Sequence, residues 1–128
     1  MSLKDVEESD DKYVFAREIL ARLGDKWSVL IIYMANGEPI RFTELKRKVE
    51  QARPISSRVL TRTLKQLERD GLITRKVFPV VPPRVEYSLT QLGQRFLHFA
   101  MEILDWTIEY RADFEAAREE FEAQITGQ

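Results

Sequence analysis

The stretch that decides the fold runs from Ser56 to Gly71 and reads S-S-R-V-L-T-R-T-L-K-Q-L-E-R-D-G. Leu60, Leu64 and Leu67 follow one another by four and then three residues, which sets them on one face of a helix with Val59 at its margin. Arg58, Arg62, Lys65 and Arg69 stand at offsets of four, seven and eleven, a continuous stripe away from that face, with Ser57 and Thr61 beside it. Ser56 suits the N-cap of such a helix, and Gly71 suits the left-handed residue that ends one. A helix is therefore expected from about Ser57 to Asp70, apolar inward and cationic outward.

A charged stripe on an amphipathic helix is often only its solvated face. Here the stripe is almost all one sign, with Glu68 set off to one side, and its neighbours agree with it. From Arg41 to Arg84 there are twelve basic residues: Arg41, Lys46, Arg47, Lys48, Arg53, Arg58, Arg62, Lys65, Arg69, Arg75, Lys76 and Arg84. The same span holds four acids, Glu44, Glu50, Glu68 and Asp70, for a net +8. Residues 98–128 carry eight acids against two arginines, and residues 1–12 five acids against two lysines. The whole chain, at −1, conceals this division. A basic middle between acidic ends is the footprint of a polyanion site, with the ends directed elsewhere.

The neighbouring segments give the helix its setting. Phe42, Leu45 and Val49 form the inward set of a helix from Arg41 or Phe42 to Val49, and Ala52-Arg53-Pro54-Ile55 breaks it. Upstream, Lys26 to Asn36 is apolar on most sides, as a central core helix would be, with Asp25 as a candidate cap and Asn36-Gly37 as its end. A first helix from Lys12 or Tyr13 to Gly24 precedes it. Downstream, Ile73 to Phe78 and Arg84 to Leu89 read as two strands around a proline-rich loop, Pro79-Val80-Val81-Pro82-Pro83. Thr90 then caps a last helix from Gln91 to about Glu122. The fold class expected is mainly α with a small β-hairpin, a winged helix-turn-helix with extra helices at both ends.

That order suggests DNA. The B-DNA major groove admits one α-helix, arginine can donate two hydrogen bonds to guanine, and the first turns of a recognition helix reach the bases. Ser57, Arg58, Thr61 and Arg62 are assigned to base edges, and Lys65 and Arg69 to backbone phosphate. Arg41, Thr43, Lys46, Lys76 and Arg84 are placed around the same site, with Arg84 the preferred contact of the hairpin. The hairpin can equally be a ribbon that closes the core, and both roles are compatible.

Five segments then carry a family resemblance: Leu23-Gly24-Asp25-Lys26-Trp27, Arg41-Phe42-Thr43-Glu44-Leu45, Leu64 to Leu72, Pro82-Pro83-Arg84-Val85-Glu86-Tyr87-Ser88-Leu89-Thr90, and Leu92-Gly93. In this order and spacing, over about Ile19 to Trp106, the chain resembles the HxlR-type family of bacterial winged helix-turn-helix regulators. The resemblance implies a dimeric repressor or activator with the Ser57 helix in the major groove and the hairpin as wing. It also implies, in many members, a sensing cysteine before the first helix. This chain has no cysteine, so that mechanism does not carry over.

The last helix carries two apolar stripes. One is Phe96, Phe99, Ile103, Trp106, Tyr110, Ala117 and Phe121, with Phe114 close by; the other is Leu97, Met101, Leu104 and Ile108. One can cover the winged domain, and the other then needs a partner. Homodimerisation is expected through this helix and the first one, with Tyr13, Ile19, Phe96, Phe99, Ile103, Trp106, Tyr110 and Phe114 at the interface, and two-fold symmetry then calls for an inverted-repeat operator. Tyr13, Phe15, Phe99, Trp106 and Tyr110 can line a pocket for a small-molecule effector, or simply pack. The domain plan is one winged domain over 1–128, with an acidic tail at 1–12, dimerisation helices at 13–24 and 91–122, and a DNA-binding core at 25–90.

Other classes find little in the residues. The one histidine, His98, lies among apolar helix residues, and no thiol is available as nucleophile or metal ligand. The five glycines match no phosphate-binding loop. Glu102, Asp105, Glu109 and Asp113 resemble a solvated face rather than a metal site. Neither an enzyme, a metal nor a cofactor is indicated. With no apolar run near the length of a membrane span, and with an acidic start unlike a signal peptide, a cytoplasmic protein is expected. Two alternatives stay open: a winged domain whose partner is protein, with weak DNA binding, and an effector-responsive regulator of the MarR type.

Overall fold

A computed structural model describes residues 3 and 10–127 of the chain. The element order is α1 (Asp10–Gly24), α2 (Ser28–Met34), β1 (Ile40–Arg41), α3 (Phe42–Ala52), α4 (Ser57–Arg69), β2 (Ile73–Phe78), β3 (Arg84–Leu89), α5 (Gln91–Glu109) and α6 (Arg111–Thr126). The mainly α class with a small β-hairpin is the fold observed. Most of the expected acidic tail lies outside the described residues, and α1 starts at Asp10, earlier than the apolar spacing indicates. No helix among the described residues is long and apolar enough to cross a membrane.

The core is built as the periodicities require. Ile31 and Ile32 of α2, Leu45 and Val49 of α3, and Leu60, Leu64 and Leu67 of α4 are essentially inaccessible to solvent, joined by Ile40, Ile55, Leu72, Ile73 and Tyr87. α2 is shorter than its apolar run, and the reason is local. The Asp25 carboxylate accepts hydrogen bonds from the Ser28 backbone N–H (2.9 Å) and Ser28 Oγ (2.6 Å), so Asp25 to Trp27 form a turn and the helix starts at Ser28. Burial pushes the Asp25 carboxyl up, but the Ser28 hydroxyl, the Ser28 and Trp27 N–H groups and the charge of Arg22 outweigh it, so its pKa lies below its ordinary value.

The hairpin pairs Ile73 with Leu89 through Phe78 with Arg84. A third strand is added that the sequence reading does not contain: β1 pairs Ile40 with Tyr87 and Arg41 with Glu86, giving the order β1-β3-β2. Two glycines have steric reasons. Gly71 takes the left-handed conformation (φ 77°) that lets α4 turn into β2, and Gly93 leaves no room for a Cβ, which would stand 2.1 Å from the Leu72 carbonyl oxygen. Thr90 ties the same joint, its hydroxyl accepting from the Gly93 N–H and donating to the Gly71 carbonyl.

The expected single last helix is two. α5 ends at Glu109, Tyr110 leaves the helical conformation (φ −103°, ψ 17°), and α6 starts at Arg111. No proline or glycine marks the break. Thr107 hydrogen-bonds back to the Leu104 carbonyl at 2.7 Å, a bond that competes with the helical ladder just before it. The Trp106 ring packs on Tyr110 and, edge-on at 5.3 Å, on Phe114.

The chain divides into two compact units, residues 1–97 and 98–128, with the boundary inside α5. Phe96 and Leu97 belong to the core of the first unit. Phe96 is thus withdrawn from the expected dimer surface: helical spacing marks it as apolar but does not say what covers it. In the second unit Phe99, Ile103, Trp106, Ile108, Tyr110, Phe114 and Phe121 are all exposed. His98 is exposed too, its Nε2 2.9 Å from Glu102.

Candidate nucleic-acid interface

The candidate site is organised by α4. Ser56 takes an extended conformation and its hydroxyl accepts from the Val59 N–H at 3.1 Å, so the helix starts where the sequence places its cap. Leu60, Leu64 and Leu67 are buried, and so is Thr63, whose hydroxyl donates to the Val59 carbonyl. Away from them Ser57, Arg58, Thr61, Arg62, Lys65 and Arg69 are all exposed. No acid stands in the first turn, so this end of α4 carries only positive and neutral groups.

The far end of α4 is held by a contact between residues 48 positions apart. Arg22 Nε donates to Asp70 Oδ2 at 2.9 Å, with both side chains largely buried. The Gln66 side-chain oxygen accepts from both terminal nitrogens of Arg22 at 3.1 Å. An acid at a helix C-terminus opposes the helix dipole; Arg22 neutralises it and joins α1 to the end of α4.

The flanking residues divide into two groups. Arg41 and Thr43 are exposed where β1 passes into α3, and with Arg84 and the hairpin tip from Val80 to Val85 they line an open cleft of about 420 Å³. Three of the expected DNA contacts from distant parts of the sequence are thereby brought together. Lys46 is half-buried and its ammonium lies 3.1 Å from Glu50, which leaves it less available than Arg47 and Lys48 beside it. On the hairpin, Lys76 and Arg84 lie over the same Phe78 ring, at 4.9 and 4.2 Å from its centroid, and Arg84 Nε is 3.6 Å from Glu86. The exposed tip itself, Pro79 to Pro83, bears no formal charge.

A second cleft, of about 370 Å³, lies between α4 and the hairpin and is lined by Thr61, Leu64, Lys65, Glu68, Arg75 and Tyr87. It adds Arg75, one of the twelve basic residues of the middle segment but outside the DNA contacts expected from sequence. The signal available was its charge inside a strand; its approach to Lys65 depends on tertiary packing.

An amphipathic cationic helix preceded by a helix and a turn, and followed by a hairpin, defines a winged helix-turn-helix DNA-binding protein. The HxlR-like helix-turn-helix family matches residues 22–115, and the chain belongs to that family of transcriptional regulators. An uncharacterised HTH-type transcriptional regulator of Halalkalibacterium halodurans is 44% identical over 91 residues, covering 70% of this chain and 78% of its own. Among solved structures, a MarR-family transcriptional regulator from Enterococcus faecalis superposes with TM-score 0.67 at 31% identity, over 83% of this chain and 93% of that one. Diamide-treated YodB from B. subtilis gives TM-score 0.65 at 30% identity, over 73% and 90%.

Proposed function

We propose that the protein is a sequence-specific transcriptional repressor that works as a homodimer on an inverted-repeat operator. The observation that carries this reading is the exposed row on α4. Ser57, Arg58, Thr61 and Arg62 in its first turns are suited to base edges, and Lys65 and Arg69 to the phosphates that border the groove. Arg41, Thr43, Lys76 and Arg84 extend the contact along the backbone, with Lys46 contributing once released from Glu50.

The dimer is supported by apolar surface that a lone chain leaves in water. Tyr13, Val14, Phe15 and Leu20 are exposed on α1, and Phe99, Ile103, Trp106, Tyr110 and Phe114 on α5 and α6. Exposed apolar residues clustered along a helix, as on each of these two segments, mark interaction surfaces. In this reading residues 25–90 are the DNA-binding core, and α1 with the α5–α6 segment joins two protomers. Any signal that releases DNA acts without thiol chemistry, because the chain has no cysteine.

The test is selection of bound fragments from random duplex DNA, with the bound species sized on the winner. Enrichment of an inverted repeat, its half-sites about one helical turn apart and occupied by two chains, supports the reading. Enrichment of no sequence overturns it in favour of a winged domain whose partner is protein.

A further inference from the structure

Two cations outside the expected DNA-contacting set converge on one aromatic ring. Lys26 Nζ lies 5.2 Å and Arg53 Cζ 5.8 Å from the centroid of the Trp27 indole. Trp27 is half-buried and packs against the core, and it occupies the N-cap position of α2. The ring is therefore a fixed plate, while both cationic side chains are exposed. Among the described residues neither cation has a carboxylate within 4.0 Å. The nearby Asp25 is engaged by Ser28.

Their place in the fold says what they face. Arg53 is the C-cap of α3, its N–H bonded to the Val49 carbonyl at 3.0 Å, and only Pro54, buried Ile55 and Ser56 separate it from Ser57. Those four steps span at most about 14 Å, similar to the ~12 Å width of a major groove. With the first turn of α4 in the groove, Lys26 and Arg53 come within reach of the sugar–phosphate strand at its edge. An indole face attracts cations, but two like charges on one ring repel each other, and an anion between them relieves that repulsion.

We propose that Lys26 and Arg53, presented by Trp27, form a further phosphate grip at the entrance of the recognition helix. It rests on the reading of the protein as a DNA-binding dimer. Its ligand is backbone phosphate, so it contributes affinity and register but no base preference.

The experiment is fluorescence anisotropy of the full chain on its selected operator and on an unrelated duplex, across a sodium chloride series. Lys26→Ala and Arg53→Ala should each weaken binding to both duplexes by a similar factor. Each should also flatten the slope of log affinity against log salt by about 0.9 per protomer. Lys26→Arg and Arg53→Lys should restore the slope, which loss of fold would not allow. An unchanged slope in the double alanine variant, with the wild type binding normally, overturns the grip while leaving the DNA reading intact. A loss confined to the operator overturns the phosphate assignment. A wild type that binds neither duplex overturns the DNA reading beneath it.

Discussion

α4 and the segment from His98 onward are both amphipathic, yet they end in opposite conditions. On α4 three leucines vanish into the core and the cations face water; past Leu97 the aromatic and aliphatic residues themselves face water, among acids. The first arrangement is complete within one chain and offers a charged surface for a partner. The second offers its apolar surface. Hydrophobic periodicity reports that a face exists, but only tertiary structure reports whether the same chain covers it.

Substitution can break this contrast, and the largest effect belongs to the covered face. Leu64→Ala should lower unfolding free energy by about 2–5 kcal/mol, whereas Phe121→Ala should change it by less than about 1 kcal/mol. Chemical denaturation of both, at concentrations low enough to hold the chain as a monomer, reads the difference; equal losses there would show that the tail face is also covered within the chain. Arg22→Ala comes next. It leaves the largely buried Asp70 carboxylate unpaired and should destabilise by about 3 kcal/mol, with Asp70→Asn in the same background recovering part of the loss.

The exposed face is sharpened by Ile103→Asp with Trp106→Ala. Sedimentation at micromolar concentration should show monomer in place of dimer, with the helical circular dichroism of the first unit largely kept. The smallest effect is at Asp25. A pKa held below its ordinary value in the folded chain means that stability is fully present above the unfolded value near 4 and is lost as pH falls through the folded one. Asp25→Asn should destabilise by about 1 kcal/mol at neutral pH, as weakened caps do, and acid melts below pH 4 should bring variant and wild type together.

Much of this was legible in the sequence. The cap at Ser56, the buried leucines, the cationic row and both hairpin strands follow from spacing and turn chemistry, which are local. β1 escaped because two residues carry no alternation to detect. The break at Tyr110 escaped because no helix breaker marks it, and the pairing of Arg22 with Asp70 because it depends on the folding of the residues between them. Phe96 shows the limit most clearly: its spacing places it with Phe99 and Ile103, and only the packed structure separates it from them.

The most direct test of the central claim is charge reversal on α4. Arg58→Glu with Arg62→Glu, measured by anisotropy on the selected operator beside the wild type, should weaken binding at least a thousandfold, since each lost arginine–base pair is worth about 1–3 kcal/mol and repulsion adds to it. Melting temperature and sedimentation should stay unchanged. An operator affinity that survives both reversals would contradict the assignment of α4 as the recognition helix.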